Sequence, residues 1–415
     1  MTTSSPVAYQ MKAGELRARL RRSERRRQLQ AFGLVLPLAV FLILVFVVPI
    51  LQMLTAAWHD RSVIDAMPNT AEAIATWDRQ ALPDEAVYAA IAADLIEGSG
   101  QRTLANPARR LNQELAGFRT VILGTARQLP DEAPPSWRET LTEIDARWAD
   151  PQHLVILQRA ARPLTDYYML YALDMQRGLD DRIAMQPPSE RLFLQLTLRT
   201  LTIAVTVTLV CLVMGFPLAY LLANVGGGVR NLLLVLVLLP FWTSLLVRTA
   251  AWIVVLQSEG LVNTGLIGLG VIDEPLRLIY NRLGVIIVMS QVLLPFMILP
   301  LYAVMTGISP WYMRAAQSLG ATFFTAFRRV YLPQTLPGIA AGTLLVFMLS
   351  IGYYITPALV GGSADQMLSY FIAFYANETV NWGLAAALGT ILMVIVMVLF
   401  LLYSRLFGTQ QLRLG

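Results

Sequence analysis

Long apolar runs alternate with short polar connectors along most of this chain, and one long polar segment separates the first run from the second. Spanning a bilayer core of about 30 Å takes roughly 20 apolar residues. Six runs approach or exceed that length, at 31–54, 195–223, 231–256, 284–306, 338–358 and 383–404. The pattern predicts an all-α membrane protein with six transmembrane helices and a helical extracytoplasmic insert between the first two.

Arginines are concentrated on alternate connectors, and this asymmetry predicts the topology. They occur in the tail 1–30 and beside the later runs, at Arg230, Arg314, Arg328, Arg329, Arg405 and Arg413. Cytoplasmic loops of membrane proteins carry an excess of Lys and Arg. We therefore expect 1–30 and 407–415 to be cytoplasmic tails, and 55–190 to lie outside the cytoplasm. The first run is too long for a signal-peptide core, so we interpret it as a retained span.

The long polar segment, 55–190, reads as helical and acidic. It holds 20 of the 27 acidic residues of the chain and 13 basic ones. Asp84 can cap a helix closed by Gly98, Ser136 with Glu139 forms a capping box, and Asp150 precedes a proline. We expect the stretch from Thr165 to Met185 to lead into the second span. A small helical core can form from these pieces.

Composition argues against an enzyme and against nucleic acid as a partner. The chain is 56% apolar and only 14% charged, and its net charge of +5 lies where membrane topology requires it. Lys12 is the only lysine, so a phosphate-binding loop ending in Gly-Lys is not available. Cys211 is the only cysteine, and His59 and His153 are the only histidines. We predict no catalytic residues, no metal site and no cofactor.

A basic island at 307–337 lies between two apolar runs and predicts a helix–turn–helix at the membrane surface. Ser309 can cap a helix that starts at Pro310. Gly320 can end that helix in a left-handed conformation. Thr322 can cap a second short helix, which should end before Pro333.

The spacing inside this island resembles the cytoplasmic coupling loop of ATP-binding-cassette importer permeases. The matching positions are Arg314, Ala315, Ala316, Gly320, Val330, Leu332 and Pro333. From Arg199 to Arg405 the chain is similar to permeases of the spermidine/putrescine type, through the segments 239–248 and 292–302. The resemblance implies a permease core at 191–406 in a bacterial inner membrane. It also implies partners: two ATPase subunits, a second homologous permease, a solute-binding protein and membrane lipid.

Two departures from that family bear on function. Arg314 stands where the family has Glu, either to meet an acidic ATPase residue or simply as a solvent-exposed side chain. The segment 55–190 is much longer than the corresponding family segment. The predicted topology places it in the periplasm.

Candidates for the translocation path come from charged, amide and aromatic side chains in the later spans. The spans after Arg199 hold no Asp or Glu well inside the apolar runs, although a polyamine path is expected to show carboxylates or aromatic faces. The candidates are Trp242, Arg248, Gln291, Tyr353 and Tyr354. Packing and interface anchoring remain alternative roles for the aromatic residues, and Arg248 can equally reach the membrane surface.

Three functional classes fit a multi-span chain. The resemblance implies an importer permease that moves a small solute, a polyamine or related cationic amino compound, by alternating access driven by a separate ATPase. A membrane receptor or scaffold with a sensory module at 55–190 is the alternative, but it leaves the loop 307–337 unexplained. A secondary transporter should show intramembrane carboxylates and inverted repeats, and neither is evident.

Overall fold

The computed structural model describes residues 27, 30–130 and 132–407, and most of them are helical. The predicted tails 1–30 and 407–415 lie almost wholly outside the described residues. Six helices are long and apolar enough to cross a membrane, which confirms the six-span prediction. They are Gln30–Thr55, Phe193–Asn224, Leu245–Gly268, Arg282–Thr306, Phe323–Gly352 and Trp382–Arg405.

The first span, α1 (Gln30–Thr55), is a compact unit of its own and contains a π-helical turn at Ile43–Val47. The second unit begins at Ala56. Its first part, residues 56–190, is called here the interspan module. Eight helices build it: α2 (Ser62–Ala66), α3 (Pro68–Ala75), α4 (Glu85–Gln101), α5 (Ala105–Glu114), α6 (Phe118–Ala126), α7 (Trp137–Ile144), α8 (Pro151–Ala160) and α9 (Tyr167–Ala172).

The helices of the interspan module enclose an apolar core centred on aromatic side chains. Trp148, Tyr88 and Phe118 are completely buried there. Their polar atoms are paired inside the core: the Tyr88 hydroxyl donates to the Trp148 carbonyl at 3.1 Å. The Trp148 indole N–H donates to Thr125 Oγ1 at 2.9 Å. Buried polar groups cost little when they are paired in this way, whereas the buried atoms Thr70 Oγ1 and His153 Nε2 have no hydrogen-bond partner among the described residues.

Helix boundaries in the module match the capping signals only in part. Ser136 and Asp150 accept hydrogen bonds from the first turns of α7 and α8, as predicted. The prediction that Gly98 closes α4 is wrong, because the helix continues to Gln101 and Arg102 takes the left-handed conformation. Gly98 is instead where Leu104 packs, since a Cβ there would lie 2.6 Å from the Leu104 side chain.

The end of the module is not the continuous lead into the second span that the sequence predicts. After α9 the chain forms a hairpin, β1 (Met175–Arg177) and β2 (Ile183–Met185), paired antiparallel with Met175 opposite Met185. Asp174 precedes the hairpin, is fully buried and accepts three backbone N–H bonds from Leu192, Phe193 and Leu194 at 2.8–3.0 Å. These are orphan donors at the start of the second span, so Asp174 caps that helix from 18 residues upstream.

A buried ionic network lies where the module meets the last span. Arg110 Nε and Asp60 Oδ2 are 2.6 Å apart, with the side chains only 4% and 9% exposed. The Tyr168 hydroxyl donates to the same carboxylate oxygen at 2.8 Å. The Tyr168 ring lies directly against Gly383, where a Cβ would approach within 2.4 Å. A glycine is therefore required for this close contact between α9 and the last span.

After the interspan module the chain continues with helices of very different lengths. They are α10 (Phe193–Asn224), α11 (Gly227–Leu238), α12 (Leu245–Leu256), α13 (Leu261–Gly268), α14 (Arg282–Thr306), α15 (Pro310–Ser318), α16 (Phe323–Gly352), α17 (Ile355–Val360), α18 (Leu368–Asn377) and α19 (Trp382–Phe407). A shared core of buried residues joins α10, α14 and α16.

Glycines allow α14 and α16 to approach closely. A Cβ on Gly342 would lie 2.8 Å from Met297 Sδ, and one on Gly338 would lie 3.2 Å from Leu301 Cα. Small residues four apart bring membrane helices together because lipid supplies no hydrophobic force between them.

Candidate functional site

The short helix α15 begins and ends as its sequence predicts. Ser309 Oγ accepts from the Trp311 N–H at 3.4 Å, and Pro310 occupies the first turn. At the other end Gly320 has φ +91°. Its N–H donates to the Gln317 carbonyl at 2.9 Å, and the Ala321 N–H donates to the Ala316 carbonyl at 3.1 Å. This pair of bonds is the Schellman closure, which satisfies the last carbonyls of a helix.

The surface of α15 is unusually apolar and aromatic for an exposed helix. Trp311 is 70% exposed and Leu319 is 89% exposed. Arg314 and Ala315 are also exposed, whereas Ala316 is half-buried. The Arg314 guanidinium carbon lies 5.0 Å from the centre of the Trp311 ring. No ion pair engages Arg314 within the described part of the chain, so its charge is available on this surface.

The second half of the island differs from the prediction. Thr322 does cap a helix, accepting from the Thr325 N–H at 3.3 Å. That helix is the start of α16 and does not end before Pro333, because a π-helical turn at Phe327–Tyr331 continues it. Pro333 follows directly after this π-helical turn. Leu332 and Pro333 therefore belong to the fifth span rather than to a separate loop helix.

The predicted third span, 231–256, is wrong as one continuous helix. α11 tightens into a 3₁₀ turn at Leu239–Trp242, and the chain is extended at Thr243 before α12 starts. Pro240 contributes no N–H, so the break leaves carbonyls without helical partners. Arg248 supplies donors: its guanidinium contacts the Pro240 carbonyl and donates to the Thr243 carbonyl at 3.2 Å. The single charge of this segment is thus used to stabilise a helix break.

The predicted fifth span, 338–358, is also interrupted. α16 ends at Gly352, Tyr353 is extended, and α17 starts only at Ile355. The Tyr353 carbonyl freed by this break accepts from Ser369 Oγ at 2.7 Å. Non-helical backbone at membrane depth is tolerated where it is buried in protein or lines a water-filled cavity.

Two side-chain bonds tie α12 to its neighbours beside these breaks. The Trp252 indole N–H donates to Gln291 Oε1 at 3.1 Å, linking α12 to α14. Thr249 and Thr356 share a buried hydroxyl contact of 3.3 Å between α12 and α17. The threonine pair was missed by sequence reasoning, since nothing in either local pattern relates residues 107 positions apart.

The structure therefore brings together some of the predicted path residues and not others. Arg248 bonds the carbonyls at the break before α12, Tyr353 lies at the break after α16, and Gln291 pairs with Trp252. Tyr354 is adjacent in sequence and 40% exposed, while Trp242 is 78% exposed. Among the six described spans the only acidic residue is Glu259, in the turn between α12 and α13. The acidic residues lie in turns and loops or at a helix end, at Glu259, Asp273, Glu274, Asp365 and Glu378.

Comparison with known proteins identifies the permease part. Residues 215–408 match the family described as binding-protein-dependent transport system inner membrane component. The spermidine/putrescine transport system permease protein PotB of Escherichia coli K12 is 36% identical over 214 residues, which cover 52% of this chain and 78% of that protein. The inner membrane ABC transporter permease protein YdcU of the same organism is 34% identical over 229 residues, covering 51% and 71%.

A solved structure also resembles this chain, the crystal structure of a bacterial ABC transporter involved in the import of the acidic polysaccharide alginate. It is 21% identical and covers 52% of this chain and 78% of that chain, with a TM-score of 0.45. The sequence relatives are transport subunits and not enzymes. The extent of the match to them shows that the chain belongs to the inner-membrane permeases of binding-protein-dependent, ATP-binding-cassette transport systems.

Proposed function

We propose that this protein is the permease subunit of an importer that moves a polyamine or related cationic amino compound into the cytoplasm. The observation that carries the proposal is the 36% identity to spermidine/putrescine permeases over 214 residues. The complete machine would contain a second permease, two ATPase subunits and a solute-binding protein. A receptor or scaffold is disfavoured because membership of a permease family accounts for α15 and the spans together.

The proposed topology places both termini and α15 in the cytoplasm and the interspan module in the periplasm. It rests on the distribution of Arg along the chain, because positively charged connectors stay on the cytoplasmic side. The proposed domains are the tail 1–30, the span 31–54, the segment 55–190, the core 191–406 with its coupling loop 307–337, and the tail 407–415.

In the proposed mechanism α15 fills a groove on the ATPase. Its exposed Trp311 and Leu319 supply apolar contact area, and aromatic side chains are typical of the centres of protein interfaces. Arg314, Ala315, Ala316 and Gly320 form this coupling element. Leu332 and Pro333 begin the rigid helix that carries its motion into the membrane. ATP binding moves the ATPase, α15 moves with it, and hydrolysis resets the cycle.

The proposed path passes the two helix breaks near Arg248 and Tyr353. The Arg248 guanidinium is held by carbonyl oxygens, and their partial negative charges offset its charge. The aromatic rings of Tyr353, Tyr354 and Trp242 can then offer faces to an ammonium group. Gln291 contributes an amide on the same side of α12.

Uptake of labelled spermidine by vesicles that contain the assembled importer tests the proposal. Gly320→Val should insert normally but lose most transport and ATPase co-purification, because a β-branched residue resists φ near +90°. Gly270→Val is the matched control, since Gly270 also has positive φ (+69°) with no atom near its missing Cβ. Equal uptake by the two variants would contradict the coupling role of α15.

Two further measurements test the identity of the solute and the assembly with the ATPase separately. Excess putrescine should compete with spermidine uptake, and transport of an unrelated solute instead would exclude the polyamine assignment while leaving the importer intact. If Arg314 pairs with an acidic ATPase residue, Arg314→Glu should weaken assembly, and a basic residue introduced on the ATPase should restore it.

A further inference from the structure

The interspan module contains an open cleft of about 1160 Å³, outside the residues 215–408 that match the permease family. Its walls are α8, the hairpin β1–β2, α9 and the loop that follows α5. Small-molecule sites usually have volumes of roughly 300–1,000 Å³ and predominantly apolar walls. This cleft is larger, more open and lined by many polar groups, which fits a polypeptide segment better than a small solute.

Ion pairs fix the shape of the cleft before anything enters it. Asp181 on the hairpin receives Arg79 at 2.7 Å and Arg159 at 2.8 Å, which holds the hairpin against the body of the module. Arg177 pairs with Asp166 on the wall formed by α9. Because these charges neutralise one another, the cleft offers no unpaired cluster for a metal ion or a free phosphate.

Several polar side chains in the cleft form no side-chain hydrogen bond among the described residues, and they are of the kinds that bind peptides. The side chains of Gln152, Gln176, Arg162 and Glu190 line the cleft without a side-chain hydrogen bond in the described structure. They offer amide donors and acceptors together with one charge of each sign. Leu164 at the rim is 63% exposed, and Trp58 and Leu179 are 45% and 54% exposed. Exposed aromatic and aliphatic anchors beside balanced polar groups are typical of protein interfaces.

One wall of the cleft is also the contact with the last span. Tyr167 and Tyr171 of α9 line the cleft, whereas Tyr168 and Ala172 on its other face are buried against the permease core. Tyr168 touches Gly383 at the start of α19. An occupant of the cleft is therefore separated from the last span by the thickness of a single helix.

We propose that this cleft receives an extended segment of the solute-binding protein and so reports docking to the last span through α9. The inference rests on the proposed function, which places the module on the side where that protein approaches. The solute-binding protein is the partner that fits, because its arrival must be transmitted to the spans and α9 supplies a direct connection. If the cleft bound a second copy of the permease, its connection to α19 through α9 would have no evident use.

Site-directed cross-linking tests the occupant. In a Cys211→Ser background, a benzophenone attached at Gln152→Cys should capture the purified solute-binding protein of the same importer. The same probe at Gln128→Cys, an exposed glutamine away from the cleft, is the matched control. The experiment uses the complete transporter in lipid nanodiscs. Capture at residue 152 that exceeds capture at 128 supports the proposal, and equal capture at the two positions overturns it.

Stimulation of ATPase activity by the loaded binding protein gives the second test. Arg162→Glu should raise the concentration for half-maximal stimulation by about fivefold or more, with unchanged basal activity. Arg127→Glu, an exposed arginine outside the cleft, should have no effect. Unchanged stimulation of Arg162→Glu would overturn the cleft proposal alone. Absence of stimulation in the wild-type transporter would overturn the proposed function as well.

Discussion

The buried pair between Arg110 and Asp60 provides the sharpest test of how the interspan module is held together. Arg110→Met keeps most of the volume of the side chain but leaves Asp60 buried with its main charge partner gone. Removing one member of a buried pair costs about 3–5 kcal/mol, because the remaining charge stays out of water. The 2.6 Å distance and the low exposure of both side chains place this pair in that class.

A buried cysteine can report the opening of the module without unfolding the membrane part. Ala108 is completely buried on the same helix as Arg110, so Ala108→Cys in a Cys211→Ser background should react with a thiol reagent only after local opening. A loss of about 3 kcal/mol should raise the labelling rate roughly 150-fold. The native Cys211, buried in α10, serves in a separate protein as the reporter for the permease core. Its labelling rate should not change.

Arg61→Met is the matched control for the loss of an arginine. Arg61 and Asp65 are 3.0 Å apart, but their side chains are 68% and 60% exposed. Exposed pairs contribute about 0–1 kcal/mol, so labelling should change by less than about fivefold. If Arg110→Met and Arg61→Met accelerate labelling equally, the argument from burial is refuted.

The pH dependence of the labelling rate provides an independent check that the destabilisation comes from a stranded negative charge. Burial raises the pKa of Asp60, but the charge of Arg110 and hydrogen bonds from Ser62 and Tyr168 outweigh it and hold the pKa below its ordinary value. The wild-type module is therefore stabilised by ionised Asp60 above the unfolded-state pKa, and that contribution is lost as pH falls through the folded-state value.

In Arg110→Met the burial effect dominates and the pKa of Asp60 should rise above its ordinary value. Acidification then protonates the stranded carboxyl and relieves its cost. The ratio of variant to wild-type labelling rates should therefore shrink between about pH 7 and about pH 5.5. A ratio that stays constant or grows would contradict the assignment of Asp60 as the stranded charge.

Two further predictions concern side chains that form hydrogen bonds with unpaired backbone groups at helix ends. Asp174→Ala should free three backbone donors at the start of α10 and cost about 2 kcal/mol or more, whereas Asp174→Asn keeps the oxygen that accepts two of them. Thiol labelling of Ala172→Cys should therefore be fastest with Ala, intermediate with Asn and slowest with Asp, and equal rates for Ala and Asn would contradict it. Arg248→Lys should retain more uptake than Arg248→Met at equal membrane abundance, because an ammonium can still donate to the carbonyls at the helix break. Equal uptake would show that these bonds do not matter.

Local signals predicted the parts of this fold that depend on neighbouring residues. Apolar runs gave the number of spans and the approximate bounds of four of them, and Ser309, Gly320 and Asp150 correctly marked helix ends, because capping is decided within a few residues. The cap that Asp174 supplies to a helix 18 residues later was not predictable from local signals. Arg248 bonds to carbonyls only five and eight residues before it, but these bonds form only because the chain breaks there, and periodicity shows neither that break nor the hairpin.

In the candidate site, too, local features were predictable from the sequence and tertiary contacts were not. The α15 helix could be located from spacing, because its cap, its closure and its exposed face are all local features. The pairs Trp252–Gln291 and Thr249–Thr356 depended on where α12 packs against α14 and α17. Pro240 signals a kink in the run 231–256, but proline also occurs inside continuous helices such as α14, so it does not predict a complete break.

The position of the interspan module constrains how this permease can move. The module caps the start of α10 through Asp174 and packs on the start of α19 through Tyr168 and Gly383. A motion that separates these two helix ends must break the bonds from α10 to the buried Asp174 carboxylate or the packing of Tyr168 on Gly383, or the module must move with both as one body. The cost of stranding a buried charge is several kcal/mol, so the second course is favoured. The module then acts as a rigid brace between the second and last spans, and a partner docked in its cleft would act on both spans together.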